Sequence, residues 1–143
     1  MNTKDIASAE KTRAWHLINK ILGETKRAVN HRADWRIHRE SDTSVLVTFS
    51  KTSQTFYDVS KIDLEGFAAH KRAFFVFLAG SHKDAFIVPS QKLREQIEFH
   101  GLTPSQEYGD YKLHLVRDYQ GTYFREIPNL NLMPFLNQYA QLI

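Results

Sequence analysis

The opening third of the chain repeats apolar residues at the spacing of an amphipathic helix. At about 100° per residue, positions three, four and seven apart share one side of a helix. This periodicity predicts a first helix over Ser8–Asn30, in which Gly23 is unfavourable by about 1 kcal/mol relative to Ala. The positions on its buried side are Ala14, Leu17, Ile18, Ile21, Leu22, Thr25, Ala28 and Val29.

Alternating apolar and polar positions then predict β-strands. In the second of three segments, Val45, Val47 and Phe49 fall on one face and the intervening residues on the other. Turn-forming residues, mainly Ser, Thr and Asp, separate the segments. The three predicted strands are Trp35–Glu40, Val45–Lys51 and Thr55–Val59.

A second helix and a strand pair are predicted next. Ser60 and Asp63 have the spacing of a capping box, so a helix should begin at Ser60. Ala73–Ala79 is continuously apolar, as expected of a central strand that is covered on both faces. The turn that follows predicts Ala85–Val88 as its partner strand.

The last third predicts a helix, a hairpin and a short closing helix after Asn131. Ser90 stands where a helix cap is expected, and Gly101 marks the end of that helix. Gly121 lies in a turn where positive φ is needed, so the segments around it should form a hairpin. Its predicted strands are Lys112–Arg117 and Thr122–Ile127.

These elements follow the order α-β-β-β-α-β-β-α-β-β-α, which predicts an α+β fold. We expect a mixed β-sheet with an N-terminal amphipathic helix and further helices packed on it. The chain has 143 residues, an ordinary size for one domain, and it contains no internal repeat. A single domain over residues 1–143 is therefore predicted.

Composition agrees with a folded protein outside the membrane. Hydrophobic residues make up 42% and charged residues 24% of the chain, which is ordinary for globular proteins. No apolar run approaches the roughly 20 residues that span a bilayer, and the polar first residues do not form a signal peptide. The chain has no Cys, which excludes disulfides and thiol chemistry. We expect a cytoplasmic protein.

Positive charge is concentrated near the N-terminus. Residues 1–39 hold nine of the nineteen Lys and Arg side chains but only four acids. On the predicted first helix, Arg13, Lys20 and Arg27 recur every seven residues, opposite the apolar side, and Arg36 and Lys51 extend the basic set. Such a row suits contact with a phosphate backbone, although an ordinary solvated helix face gives the same pattern.

Complete catalytic motifs are missing from the sequence. The Gly residues form no phosphate-binding loop, no Ser lies in a nucleophile elbow, and no two His have the spacing of a helical zinc site. The sequence predicts no metal and no cofactor.

From Asp34 to Leu78, the order of elements resembles the core of the PD-(D/E)XK nucleases. In that family, an acid on one strand, and an acid two residues before a Lys on the next, hold a divalent metal at a phosphodiester. Asp34 would match the first acid and Lys51 the Lys. The second acid would fall at Phe49, which cannot ligate a metal. An alignment on Asp42, Asp58 and Lys61 fails as well, because three positions along a strand reverse the face.

The leading hypothesis is a non-catalytic nucleic-acid-binding module with a degenerate nuclease-like fold, linked to restriction, phage defence or repair. One alternative is a metal-dependent nuclease whose second acid comes from elsewhere, such as Glu40 or Asp58. Another is a protein-interaction subunit of an operon-encoded pair, which docks through an apolar C-terminal helix. The residues predicted to contact phosphates are Arg13, Lys20, Arg27, Arg36 and Lys51.

Overall fold

The computed structural model describes residues 2–28, 34–51 and 55–143. Its helices and strands confirm the predicted α+β class. Two short 3₁₀ helices, Met133–Phe135 and Tyr139–Leu142, follow the last strand. The helices are α1 (Thr3–Leu22), α2 (Lys61–Phe67) and α3 (Ser90–Phe99). The strands are β1 (Lys26–Arg27), β2 (Trp35–His38), β3 (Thr43–Ser50), β4 (Phe56–Ser60), β5 (Arg72–Ala79), β6 (Ala85–Pro89), β7 (Asp110–Asp118) and β8 (Gly121–Phe124).

The described strands form two sheets. The larger sheet is mixed, as predicted, with the order β1-β2-β3-β5-β6 and a parallel pairing of β3 with β5. Both faces of β5 are covered by hydrophobic clusters, which explains why Ala73–Ala79 is apolar on both faces. The smaller sheet, β4-β7-β8, is antiparallel. Its β7–β8 hairpin was predicted, but the pairing of β4 with β7 was not, because strand patterns do not show which distant strands pair.

Each face of the larger sheet carries its own hydrophobic cluster. On one face, α1 and the last 3₁₀ helix pack on alternate residues of β3, β5 and β6, such as Val47 and Val76. On the other face, α2, α3 and the smaller sheet enclose the opposite residues, including Phe75 and Phe77. The alternation predicted for β3 is therefore confirmed.

The first helix ends earlier than the sequence predicts. Gly23 takes a φ of 102°, where its amide donates to the Asn19 carbonyl, and helical geometry stops there. Lys26 and Arg27 form a strand, so the buried Thr25 and Ala28 flank that strand and do not belong to a helix face. The predicted end of the helix, Val29 and Asn30, lies outside the described residues. Arg27 consequently lies on β1, which corrects its predicted place on the helix.

The predicted helix starts and the predicted closing helix agree with the structure only in part. Ser60 caps α2 as predicted, with its hydroxyl accepting from the Asp63 amide at 3.3 Å. In α3, however, Pro89 is the N-cap residue and Ser90 is already helical. The predicted closing helix consists of the two 3₁₀ helices. Tyr139 and Leu142 are buried in the core there, which removes the basis for a freely docking C-terminal helix.

Candidate nucleic-acid interface

Arg27 and Arg36 lie side by side at the edge of the larger sheet. The strand register pairs them directly, which places their Cβ atoms about 5 Å apart on the same face. Neither forms an ion pair with a described carboxylate, and the undescribed segments contain no Asp or Glu. Two like charges opposite each other destabilise a strand pair unless an anion lies between them.

Packing fixes Arg36 in position. Its guanidinium lies 4.5 Å from the ring centroid of Trp15, a buried residue of α1. The Nε atom is shielded from solvent and has no hydrogen-bond partner among the described residues. Desolvation, and then the charge of Arg27, lowers the pKa of Arg36, and Asp34 offsets this only in part. An anion at this position would stabilise the charged guanidinium.

Two further exposed cations flank this pair. Lys26 lies on β1, and Arg39 follows the end of β2. Both line an open cavity of about 360 Å³ together with Glu24 and Glu40, so its charge is balanced. Arg27 and Arg36 do not line this cavity. We call these two residues the arginine pair.

Arg13 and Lys20 do not join the arginine pair. Arg13 precedes Trp15 by two residues, so it projects about 200° away around α1. Its guanidinium contacts Glu10 at 3.3 Å, and Glu10 in turn contacts His82 at 2.9 Å on the β5–β6 turn. Lys20 is seven residues after Arg13 and shares its side of the helix. The predicted single row of cations is therefore split between the two flanks of α1.

Lys51 lies in a third place, a cleft where β3 and β4 separate into different sheets. It lines a cavity of about 610 Å³ with Lys4, Phe56 and Asp58. A smaller adjoining cavity of about 160 Å³ shares Asp58 and is also lined by Lys11, Asp34 and Asp63.

Residues that matched the nuclease pattern only partly converge in this cleft. Asp34 and Asp58 line the same small cavity, but Lys11 Nζ holds Asp34 at 2.7 Å. Phe49 packs against the hydrophobic cluster under α1, and Glu40 lies beyond the opposite end of β2 from Asp34. In the part of the chain that the structure describes, no group of three or more His, Asp or Glu side chains is arranged to hold a metal ion.

Comparisons with known proteins give no significant match to a family model, to a curated protein or to a solved structure. Among the described helices, none is both long enough and apolar enough to cross a membrane. The sequence did not reveal the arginine pair, because Arg27 comes from a strand that the helical pattern concealed, whereas the strand that holds Arg36 was predicted. The available signal was Gly23, four residues before Arg27, because a Gly inside a helical pattern can mark the end of the helix.

Proposed function

We propose that this protein is a cytoplasmic, non-catalytic nucleic-acid-binding module that contacts the phosphate backbone through the arginine pair. The pairing of Arg27 with Arg36 without a described carboxylate partner is the observation that supports this proposal. Arg binds phosphates well because its planar guanidinium donates several hydrogen bonds at once. The packing of Arg36 on Trp15 holds one of the two guanidinium groups in place before any ligand arrives.

The proposal assigns different roles to the five predicted cations. The arginine pair forms the centre of the interface, while Arg13, Lys20 and Lys51 lie elsewhere on the surface. Lys20 and Lys51 are exposed and add to long-range attraction of a polyanion, whereas Arg13 is partly neutralised by Glu10. A degenerate nuclease-like fold used in restriction, phage defence or repair would fit such a module.

Replacing Arg27 with Glu should weaken nucleic-acid binding at least ten-fold, because it introduces a negative charge beside Arg36. Fluorescence anisotropy with labelled duplex DNA and single-stranded RNA, between about 50 and 200 mM salt, measures this effect. The slope of log affinity against log salt should also become shallower by about 0.9 for each lost duplex phosphate contact.

Lys83→Glu provides the matched control, since Lys83 is an exposed cation on the distant β5–β6 turn. The control should retain most of the affinity. Equal weakening in both variants would mean that only net charge matters, and it would refute a role for the arginine pair. Absence of binding by the unmodified protein at low salt would refute the proposed function altogether.

The second candidate function is a metal-dependent nuclease, and two carboxylates in the cleft support it. Asp34 precedes β2 and Asp58 lies on β4, yet both reach one small cavity beside Lys11. Carboxylates from separate strands are suitable ligands for Mg²⁺, and a neighbouring Lys can stabilise developing charge. The Lys11–Asp34 ion pair would have to open for Asp34 to bind a metal.

Incubation of supercoiled DNA with the protein and Mg²⁺ or Mn²⁺ separates the two candidates. The leading proposal predicts no cleavage. Cleavage that is lost in Asp34→Asn but kept in Glu65→Gln, a change at an exposed acid of α2, would instead establish the nuclease. Measuring the thermal stability of both variants shows whether any loss comes from misfolding.

A further inference from the structure

A cavity that shares no lining residue with the arginine pair lies where α2 ends and where β5 and α3 begin. Its volume is about 350 Å³, which is within the range of small-molecule sites. Phe67, Phe74, Pro89 and two Ala residues form the apolar part of its wall, and the other lining residues are polar or basic. Among the described residues that line it, none is acidic.

The first turn of α3 opens into this cavity without a cap of its own. Its N-cap residue is Pro89, which has no side chain able to accept from the helix amides, and no acid occupies the first turn. The amides at the start of a helix have no partner within the helix and carry a partial positive charge. Such an N-terminus favours an anion.

Two buried polar atoms point independently to a binding site at this cavity. Ser90 is only 3% exposed, and its Oγ has no hydrogen-bond partner among the described residues. Arg94 follows four residues later on the same face of α3, and its Nε is likewise shielded and unpartnered. Buried donors are nearly always satisfied in folded proteins, so two unpartnered ones at one cavity favour a polar ligand there.

The charges around the cavity identify an anion as that ligand. Arg94, Lys71, Arg72 and His70 all line it. The Arg72 guanidinium donates to the carbonyls of Leu142 at 2.7 Å and Gln141 at 2.5 Å, so it forms a fixed positive wall.

Asp42 is the carboxylate that contacts this basic lining. It interacts with His70 Nδ1 and the Lys71 amide, each at 2.8 Å, and it does not itself line the cavity. Its hydrogen bond with His70 is the largest influence lowering the pKa of Asp42, so the carboxylate is ionised at neutral pH. The single negative charge of Asp42 therefore offsets only one of the three positive charges of Lys71, Arg72 and Arg94.

We propose that this cavity binds the phosphate group of a small phosphomonoester. The Ser90 hydroxyl and the first-turn amides of α3 donate hydrogen bonds to the phosphate oxygens, and Arg94 and Lys71 balance their charge. The apolar wall formed by Phe67 and Phe74 contacts the organic part of the ligand. This site does not depend on the proposed nucleic-acid interface.

Titration calorimetry with inorganic phosphate, adenosine 5′-monophosphate and adenosine tests the proposal. The monophosphate should bind and adenosine should not. Ser90→Ala should weaken monophosphate binding about ten-fold, since a hydrogen bond to a charged group is lost. Without ligand, the same variant should melt at an unchanged or slightly higher temperature, because it removes an unpartnered buried hydroxyl. Arg94→Gln should weaken monophosphate binding more than Ser90→Ala does, because it removes a positive charge.

Lys92→Gln is the matched control, because Lys92 is an exposed cation on α3 that does not line the cavity. Equal affinity in Ser90→Ala, Lys92→Gln and the unmodified protein would overturn the site, as would failure to bind either phosphate probe. Short oligonucleotides with and without a 5′-phosphate distinguish the source of the group. Binding that requires both the 5′-phosphate and Ser90 identifies a nucleic-acid end, whereas binding of the mononucleotide alone identifies a free metabolite.

Discussion

Replacing Phe77 with Ala is expected to lower the free energy of unfolding by about 4 kcal/mol, because it opens a cavity where the two sheets meet. Phe77 lies on β5 and is fully buried. Its ring centroid is 4.9 Å from that of Tyr57 on β4 and 5.1 Å from that of Phe124 on β8. Both contacts are edge-to-face, a favourable geometry for aromatic pairs.

Urea unfolding followed by circular dichroism measures this loss. Phe99→Ala is the matched control, since Phe99 is 72% exposed at the end of α3 and should change stability by less than about 0.5 kcal/mol. Similar losses in the two variants would show that Phe77 does not join the sheets. A separate early transition in Phe77→Ala would indicate that the smaller sheet unfolds independently.

The sequence predicted the local character of the chain well, as β5 shows. Its continuous apolar residues predicted a strand covered on both sides. The structure places it between β3 and β6 with a hydrophobic cluster on each face. The pattern could not show that β4 would leave β3 and pair with β7. That choice depends on contacts between residues far apart in sequence, which no local periodicity contains.

The end of α1 shows how two compatible patterns can be confused. Thr25 and Ala28 are buried, as the helical periodicity required, but they are buried from an extended segment. Residues three positions apart share one face of a helix but lie on opposite faces of a strand. Because the segment is not helical, the predicted position of Arg27 on the helix face was wrong. Its pairing with Arg36 follows from the β1–β2 register and was not accessible before the structure.

The phosphomonoester site shows a similar limit at a single residue. The sequence predicted that Ser90 would cap α3, because Ser is a favoured N-cap residue. The helix begins one residue earlier, with Pro89 as its cap, and so the hydroxyl remains free of intrahelical bonds. A shift of one residue thereby converts a structural cap into a group available for a ligand. Boundaries of helices are the least predictable feature of a sequence.

Replacing Leu142 with Ala is expected to lower the free energy of unfolding by about 2–3 kcal/mol, although the residue stands next to the end of the chain. Leu142 is fully buried in the hydrophobic cluster beneath α1, with Ala14 and Ile18 as other members. Arg72 fixes its backbone by donating to its carbonyl at 2.7 Å. The C-terminal segment is thus part of the folded core, as the side chain of Tyr139 also indicates by donating to the His82 carbonyl.

Ile143→Ala separates core packing from mere proximity to the terminus, because Ile143 is 78% exposed and immediately follows Leu142. Chemical denaturation should detect almost no change in this control. Comparable stability of the two variants would mean that the segment detaches readily from α1. In that case the hypothesis of a C-terminal docking element would regain its physical basis, since Tyr139 and Leu142 would then be accessible to a partner protein. A loss confined to Leu142→Ala leaves those side chains committed to the protein's own core.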